Sequence, residues 1–424
     1  MRKGFFLPLA LFFTLASYAQ TGIDSPYSRF GLGTLAPKSN HTRQMGMGGI
    51  GNALSTNRFV NTANPASYSS VDSLSFLFGA GISFTGVNYS TALQKESGNY
   101  ANVSFFSAAF PVTPWLRTGL GLLPYSNIAF NLETTGTTAQ SVRYNRIYEG
   151  KGGINKLFFG NAIKLGENAS FGFNVNYLFG RNNNLSYLYF PDSVNMATTK
   201  VDSRITASAF SFDAGLLYKI NFAKETSLQL GLTYGLGQDL PVKREFLVQS
   251  QFGGLFGDIE YVIDTIYYRP DQRSTLNLPH ALGGGLVLEK KDRWLGGIDF
   301  NWQNWENYKS PLYADSLINS WNVAAGFQYL PTHTAISNYW RKVLYRAGAR
   351  YNQTYLSING QPVNEFGISF GVSMPLPRTF TTIDLSFEAG RRGTTKSNLV
   401  RENFINFRAG ISIYERWFIK RKYD

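Results

Sequence analysis

Residues 74–84 read LSFLFGAGISF, a run in which apolar side chains recur at every second position. These positions are Leu74, Phe76, Phe78, Ala80, Ile82 and Phe84. Successive side chains of a β-strand point to opposite faces, so the run predicts a strand with one apolar face. A soluble sandwich hides such faces between two sheets, whereas an outer-membrane barrel turns them towards lipid. Alternation alone leaves both classes open.

The same period of two recurs along the chain, for example over residues 210–219 and 383–390. The pattern predicts fourteen strands, at 73–87, 100–110, 115–123, 154–165, 169–181, 205–220, 226–236, 279–289, 293–303, 321–330, 342–353, 363–374, 379–390 and 402–414. An even number of strands is what an antiparallel bacterial barrel requires.

The connections between these strands alternate between short and long. Short ones lie at 111–115, 165–169, 222–226, 289–293 and 374–379, with a medium one at 330–342. Long ones lie at 88–99, 124–153, 182–204, 237–278, 304–320 and 391–401, with a shorter one at 354–362. Tight periplasmic turns and long extracellular loops give this asymmetry. The sequence therefore predicts an all-β fold, a 14-stranded antiparallel transmembrane barrel in the bacterial outer membrane with both termini periplasmic.

The ends of the chain predict export. Arg2 and Lys3 precede an apolar run over 5–15 and small residues near Ala19, which is typical of a cleaved signal peptide. We expect a signal peptide at 1–19, an N-terminal hatch or plug at 20–72, the barrel at 73–418 and a short basic tail at 419–424. The chain has no cysteine, so it contains neither a disulfide nor a lipid-modified cysteine.

The formal charge of +13 is spread along the chain, and the one compact basic run is 420–422. A nucleic-acid-binding protein concentrates its charge in patches, so nucleic acid is not an expected partner. An exported protein with this charge is expected to meet the lipid headgroups of the outer membrane or acidic ligands.

One stretch ahead of the strands differs from them: residues 43–68 read RQMGMGGIGNALSTNRFVNTANPASY. It is rich in glycine and asparagine, and the residues of interest are Gly46, Gly48, Gly49, Gly51, Asn64, Pro65 and Ala66. Glycine lets a backbone approach surrounding walls closely, and Asn-Pro favours a turn. The stretch fits a plug inside a barrel, and it also fits a flexible surface linker.

An exported chain with this glycine-rich segment, an Asn-Pro-Ala motif and fourteen strands resembles the FadL-type long-chain fatty acid and hydrocarbon transporters. The resemblance implies that the N-terminal segment folds back as a hatch in the lumen, with the family motif at Asn64, Pro65 and Ala66. It also implies a kink in the third strand that opens a lateral gap, and Pro124 is the candidate for it. The sequence by itself favours Pro124 as the first residue of the following loop, because proline commonly ends strands.

The function that the resemblance implies is passive uptake of hydrophobic or amphipathic small molecules that resemble fatty acids, and such a molecule is the expected ligand. Arg346, Arg350 and Arg408 lie on the predicted lumen faces of strands eleven and fourteen, where a guanidinium group can hold a carboxylate headgroup. The alternative is that these arginines pair with carboxylates of the lumen or with the hatch. The candidate carboxylates are Glu365, Asp384 and Glu388. The loop at 244–268 contains several large apolar residues and is a candidate for ligand capture.

The sequence gives little support for catalysis, metal binding or dinucleotide binding. The three histidines, His41, His280 and His333, lie far apart and have no serine at a spacing that indicates a catalytic dyad. No metal-ligand motif occurs, and the run 46–51 lacks the βαβ context of a dinucleotide loop. We therefore expect no enzyme, metal or cofactor. The competing function is a non-transporting accessory barrel in an outer-membrane assembly or secretion complex, with other envelope proteins as partners.

Overall fold

The computed structural model describes residues 25–417 except 194, 254–259, 307, 309–316 and 333–337. The predicted signal peptide at 1–19 and the predicted tail at 419–424 lie outside the described residues. Across the described part of the chain, no helix has the length and apolar character needed to span a membrane.

Fourteen antiparallel strands form a closed barrel, in which each strand pairs with its chain neighbours and the last pairs with the first. The strands are β1 (Ser75–Ser90), β2 (Lys95–Pro111), β3 (Leu116–Thr137), β4 (Arg143–Leu165), β5 (Ala169–Tyr189), β6 (Thr198–Asn221), β7 (Thr226–Gly235 and Gln238–Gly253), β8 (Glu260–Leu278 and Ala281–Lys290), β9 (Trp294–Gln303), β10 (Ser320–Tyr329), β11 (Leu344–Ile358), β12 (Gln361–Pro375), β13 (Thr382–Arg392) and β14 (Arg401–Arg416). The predicted fold class and strand number are confirmed.

The two faces of the strands differ in the way that the alternation predicts. On β6, Phe210 and Phe212 are 58% and 44% exposed on the outer surface, whereas Ser211 between them is 8% exposed and faces inward. Every strand of the described barrel wall exposes large apolar side chains on its outer face. Such a belt is stable only against hydrocarbon, so the fold is that of a transmembrane barrel.

Five of the seven predicted long connections are instead mostly strand, and three of these extend the sheet furthest. β3 and β4 remain paired up to Thr137 and Arg143, and β5 and β6 up to Leu188 and Thr199. The region predicted as a loop at 237–278 contains the outer halves of β7 and β8, which pair with each other. The strict apolar alternation stops where strands leave the hydrocarbon, although backbone pairing continues. The strand ends predicted at 123, 181 and 236 were therefore too early.

The N-terminal segment from residue 25 to 72, called the hatch below, lies inside the barrel. It contains a 3₁₀ helix (Pro26–Arg29), a two-residue strand (Thr34–Leu35), one α-helical turn, α1 (Thr42–Met45), and a second 3₁₀ helix (Pro65–Ser70). Two further 3₁₀ helices, Tyr339–Arg341 and Lys396–Asn398, lie in connections between strands. Almost every hatch residue from 39 to 54 is buried, which agrees with the predicted plug and not with a surface linker.

Strand glycines allow the hatch backbone to rest directly on the barrel wall. A Cβ atom on Gly326 or Gly348 would overlap the backbone at Met47–Gly48, and one on Gly231 would overlap Asn52. Because these inward positions carry no side chain, main chain packs on main chain. The hatch therefore fits the lumen at close range, and its position depends on glycine at these sites.

We expect Gly348→Ala to displace the hatch locally, because the added methyl has no space beside Gly48. Overpacking of this kind costs about 1–3 kcal/mol. Urea unfolding in detergent should shift to lower concentration, and trypsin should cleave after the buried Arg43 more readily. Gly86→Ala is the matched control, since no atom lies within 4 Å of a Cβ at Gly86. Equal stability and equal protease resistance in the two variants would contradict the proposed fit.

Candidate functional site

Two cavities flank the hatch, one on each side. The short inter-strand turns lie at one end of the barrel, called the short-turn end, and the extended hairpins lie at the other, called the hairpin end. A cavity of about 770 Å³ lies on the hairpin side of the hatch and is called the lumen cavity. A second cavity of about 1220 Å³ lies between the hatch and the short turns and is called the short-turn basin.

A buried ion pair anchors the hatch to the wall. Arg43 Nε lies 2.9 Å from Asp384 Oδ1 on β13, with the two side chains 5% and 1% exposed. The Asp384 carboxylate also accepts hydrogen bonds from Ser373 and Ser412, and Arg43 donates to Thr382. The second partners matter because a buried ion pair is stable only when its remaining polar atoms are also satisfied.

His41, Ser412 and Asp384 lie together but do not form a catalytic triad. His41 Nδ1 accepts a hydrogen bond from the Arg43 N–H at 3.2 Å, and its Nε2 lies 3.3 Å from Ser412 Oγ. Burial lowers the pKa of His41 to about 3, so the ring is neutral with its hydrogen on Nε2. That nitrogen donates to Ser412, whose hydroxyl donates to Asp384. The histidine therefore has no lone pair available to activate the serine.

No metal-binding group is evident at this anchor. Within the described ranges, three or more histidine, cysteine, aspartate or glutamate side chains nowhere come close enough together to hold a metal ion.

The predicted hatch-motif residues other than Gly49 lie at contacts between the hatch and the wall. The backbone N–H groups of Gly51 and Asn52 donate to Asp299 Oδ2 on β9 at 2.6 and 2.7 Å. Gly48 has a φ of +69°, and a Cβ there would lie 2.6 Å from the Ala349 carbonyl oxygen. Gly46 lies against Gly371 of β12, and Gly49 also has a positive φ. The glycine run thus follows the wall and presents its N–H groups to a carboxylate.

The Asn-Pro-Ala motif joins the hatch to β6. Asn64 Oδ1 accepts from the Ala66 N–H at 3.0 Å and caps the 3₁₀ helix that begins at Pro65. Asn64 Nδ2 donates to the Asn52 carbonyl at 2.6 Å and to the Leu216 carbonyl at 3.2 Å. Ala66 is fully buried. A larger side chain at this position would have no space, so the motif suits a tight turn against the wall.

An alternating ladder of charges runs along one side of the lumen. Arg350 contacts Glu365 at 2.5 Å and Glu388 at 2.6 Å, and Arg392 contacts Glu365 at 2.6 Å and Glu402 at 3.3 Å. The ladder ends on the hatch, because Ser25 Oγ donates to Glu402 at 2.6 Å.

The three predicted headgroup arginines have different surroundings. Arg346 donates to Gln328 and Ser373 and does not line the lumen cavity. Arg350 lines the cavity and is held by two carboxylates. Arg408 lines the cavity and donates from Nε to Asn406 at 3.2 Å. It forms no ion pair within the described part of the chain. Of the carboxylates named as alternatives, Glu365 and Glu388 pair with Arg350, and Asp384 pairs with the hatch.

The sequence analysis did not single out Arg392, Glu402 or Lys38. Arg392 and Glu402 both occupy inward-facing positions, of β13 and β14 respectively. Arg392 lies two residues beyond the predicted strand end at 390, so extending the alternation by one residue pair would have found it. Glu402 is the first residue of the predicted strand 402–414 and was not named as a lumen carboxylate. Lys38 donates to Asn52 at 2.9 Å and also to Thr233, and burial lowers its pKa to about 8. No periodic pattern in the hatch indicated it.

The barrel wall is interrupted between β2 and β3. Their pairing runs only from Phe106↔Leu122 to Pro111↔Arg117, so the hairpin-side halves of the two strands separate. Val103, Ser104, Pro124 and Ser126 border this opening, called the β2–β3 slit, and all four also line the lumen cavity. The cavity therefore reaches the wall at the slit.

The hatch covers part of the β3 edge that this separation leaves. Thr34 and Leu35 pair with Asn127 and Ser126, and the Ala36 N–H donates to the Tyr125 carbonyl at 3.0 Å. A short strand of the hatch thus takes the place of β2 at these positions.

Pro124 lies within β3 and does not begin a loop. It is paired with Asn155 of β4, and the register of that pairing shifts between Pro124 and Ser126. Proline has no N–H to donate and is tolerated at strand edges and bulges. Pro124 follows Leu122, the last residue of β3 that pairs with β2, by two residues. It therefore lies at the start of the slit.

The candidate capture region at 244–268 is part of the β7–β8 hairpin. Among its residues whose side chains the structure describes, Tyr261, Ile263 and Ile266 are each more than half exposed. The hairpin therefore presents apolar side chains at the hairpin end and forms no closed groove within the described residues.

We expect Asp384→Asn to destabilise the protein by about 3–5 kcal/mol, because it leaves the Arg43 guanidinium buried without a counter-charge. Urea unfolding measures the loss, and a double-mutant cycle with Arg43→Met should recover part of it. Asp192→Asn is the control, since it breaks an ion pair with Arg143 whose side chains are 57% and 56% exposed. A loss no greater than that of the control would refute the anchoring role.

Solved structures with a similar fold include a FadL homologue and toluene transporters. A Pseudomonas aeruginosa FadL homologue aligns with a TM-score of 0.60 and 13% identity, covering 91% of this chain and 100% of that one. The Ralstonia pickettii toluene transporter TbuX gives 0.56 and 14%, covering 91% and 99%. The Pseudomonas putida toluene transporter TodX gives 0.53 and 16%, covering 92% and 100%. The resemblance to FadL-type proteins is thus confirmed at the level of fold.

Sequence comparison gives a different family from the structural one. No curated protein matches the chain. The sequence model of the BamG family matches all of it, from residue 1 to residue 424. The chain therefore belongs to the BamG family.

Proposed function

We propose that the protein is an outer-membrane channel that passes hydrophobic or amphipathic small molecules from the cell surface into the membrane. The short-turn end, with both termini, then faces the periplasm, and the hairpin end faces outward. The observation that carries the proposal is the β2–β3 slit, because it lies where the lumen cavity meets the wall. Fold similarity to hydrocarbon channels supports it, although fold alone does not determine function.

The residues around the lumen cavity suit a molecule with one apolar and one polar part. Apolar side chains line part of the cavity, among them Leu35, Phe179 and Tyr355. Arg350, Glu365, Arg392 and Glu402 of the charge ladder line the same cavity. A pure hydrocarbon would leave these charged groups poorly solvated, so an amphipathic ligand is the better match.

Arg408 is the best candidate to contact an anionic headgroup. Its guanidinium lines the cavity and has a neutral amide as its hydrogen-bond partner. Arg350 is less suited, because Glu365 and Glu388 already occupy its donors. A ligand carboxylate beside Arg408 would gain a charge-assisted hydrogen bond.

The route ends at the slit and does not continue through the barrel. The hatch fills the lumen beneath the cavity with buried residues, from the Arg43–Asp384 pair to the contact of Asn52 with Asp299. Opening a straight path would require breaking these bonds. Sideways exit into the lipid passes Val103 and Pro124 at the border of the slit and leaves these bonds intact.

We expect closure of the slit to abolish uptake. The chain has no cysteine, so Ser104→Cys with Ser126→Cys can be joined by a flexible bifunctional thiosulfonate that a reductant removes. Uptake of a fluorescent fatty acid into proteoliposomes should fall to the level of protein-free vesicles and return on reduction.

The control for this experiment is Asn322→Cys with Asn352→Cys. These residues line the same cavity, but they are register partners on the continuous β10–β11 pair. Cross-linking them should leave uptake unchanged. Undiminished uptake through the cross-linked slit would exclude lateral exit.

A second candidate function is that of an accessory subunit in an assembly of envelope proteins. Two observations favour it: the whole chain matches the BamG family, and large hairpins extend beyond the barrel. Exposed apolar residues such as Tyr261 and Ile266 on the β7–β8 hairpin provide surface for protein contacts.

Native mass spectrometry separates the two functions. We expect the purified protein to retain an amphipathic molecule, and we expect Arg408→Gln to lower the retained fraction of anionic amphiphiles. Arg346→Gln, which changes an arginine outside the cavity, should not lower it. An empty lumen together with stoichiometric co-purification of other envelope proteins would replace the transport proposal with the accessory one.

A further inference from the structure

Basic side chains form an arc along the short-turn basin. Seven basic and four acidic residues line it, apart from the Arg43 of the hatch anchor. The basic residues are Arg58, Lys164, Lys219, Lys224, Lys290, Lys291 and Arg293, and the acidic ones are Glu167, Glu225, Glu289 and Asp292. The basin therefore carries an excess of three positive charges.

These cations differ from the arginines of the charge ladder. The arginines of the charge ladder are held by carboxylates, whereas none of the seven basin residues forms an ion pair among the residues that the structure describes. Lys164, Lys219, Lys224 and Lys291 are exposed to solvent. Exposed, unneutralised cations around one concave surface produce a positive potential that concentrates anions there.

The arrangement of the charges follows three successive turns. Lys164 precedes the β4–β5 turn, and Lys291 lies in the β8–β9 turn. Lys219 precedes the β6–β7 turn, and Lys224 lies in it. Adjacent turns are two strands apart, about 10 Å, so the arc spans roughly 20 Å. An extended polypeptide covers that distance with about six residues.

We propose that the short-turn basin binds an acidic segment of another polypeptide. Its volume of about 1220 Å³ exceeds the range of about 300–1,000 Å³ that is usual for small-molecule sites. The floor of the basin is formed by the hatch at Ser55, Thr56 and Asn57. A bilayer surrounds the outside of a barrel, so its headgroups meet the outer ends of the turns and not this floor. A soluble acidic chain reaches the floor.

This site is separate from the proposed transport route. The hatch lies between the basin and the lumen cavity, and the two share no lining residue of the wall. Binding in the basin can therefore be tested in detergent without reference to transport or to the orientation of the barrel.

The test uses the full-length protein in an uncharged detergent and a fluorescein-labelled twelve-residue peptide of alternating glutamate and serine. Fluorescence anisotropy should show saturable binding at low ionic strength that weakens as salt is raised, because exposed charges are screened. A peptide of alternating glutamine and serine should not bind.

Charge reversal identifies the basin as the site. The triple variant Lys219→Glu, Lys224→Glu and Lys291→Glu should bind on the order of tenfold more weakly or not at all. The control variant has the same change in net charge at the hairpin end, and it carries Lys95→Glu, Arg273→Glu and Lys396→Glu. The control should bind like the unmodified protein. Heat-dependent electrophoretic mobility verifies that both variants are folded barrels.

Three results would overturn the proposal. One is the absence of peptide binding by the unmodified protein at low salt. Another is equal weakening in the two triple variants, which would indicate attraction by overall charge. The third is binding of phosphatidylglycerol vesicles through the same three lysines, with no competition from the peptide. That result would make the basic arc a lipid-binding surface.

Discussion

Close packing of one backbone on another determines the rest of this molecule. The hatch lies directly on the wall because Gly231, Gly326 and Gly348 carry no side chain where the two meet. This proximity lets Asp299 reach the N–H groups of Gly51 and Asn52, and it lets Asp384 reach Arg43. The filled lumen is in turn the reason why the remaining space is divided into two cavities of different chemistry.

Each of these cavities combines a rigid surface with a distinct charge distribution. In the lumen cavity, Arg350 and Arg392 of the charge ladder are held by carboxylates. In the short-turn basin, the cations form no ion pairs among the described residues and outnumber the acidic residues by three. A single barrel thereby offers two compartments that differ in how their charges are paired, with the hatch as the partition between them.

The barrel was predictable from the sequence, and the contacts within it were only partly so. Apolar side chains alternate in segments such as 74–84 because the outer face of each strand must be apolar to meet hydrocarbon. The number of strands and their order follow from this alternation. The hairpins beyond the membrane escaped prediction, because both faces of those strands meet water. The pairing of Arg43 with Asp384 joins residues 341 positions apart, and no local pattern encodes such a contact. Pro124 was visible in the sequence, but only the register of β2 and β3 shows that the wall separates there.

The hydrogen bond from Ser25 to Glu402 has a consequence for biogenesis. It joins residues 377 positions apart, and Tyr27 similarly donates to the Val400 carbonyl on the connection that leads into β14. The beginning of the described chain therefore cannot reach its native neighbours until the last strand has been delivered and the cylinder has closed. Contacts of such long sequence separation form slowly. The start of the hatch is synthesised before the strands of the barrel, yet it reaches its native contacts among the last. It must therefore remain unaggregated until the barrel has closed.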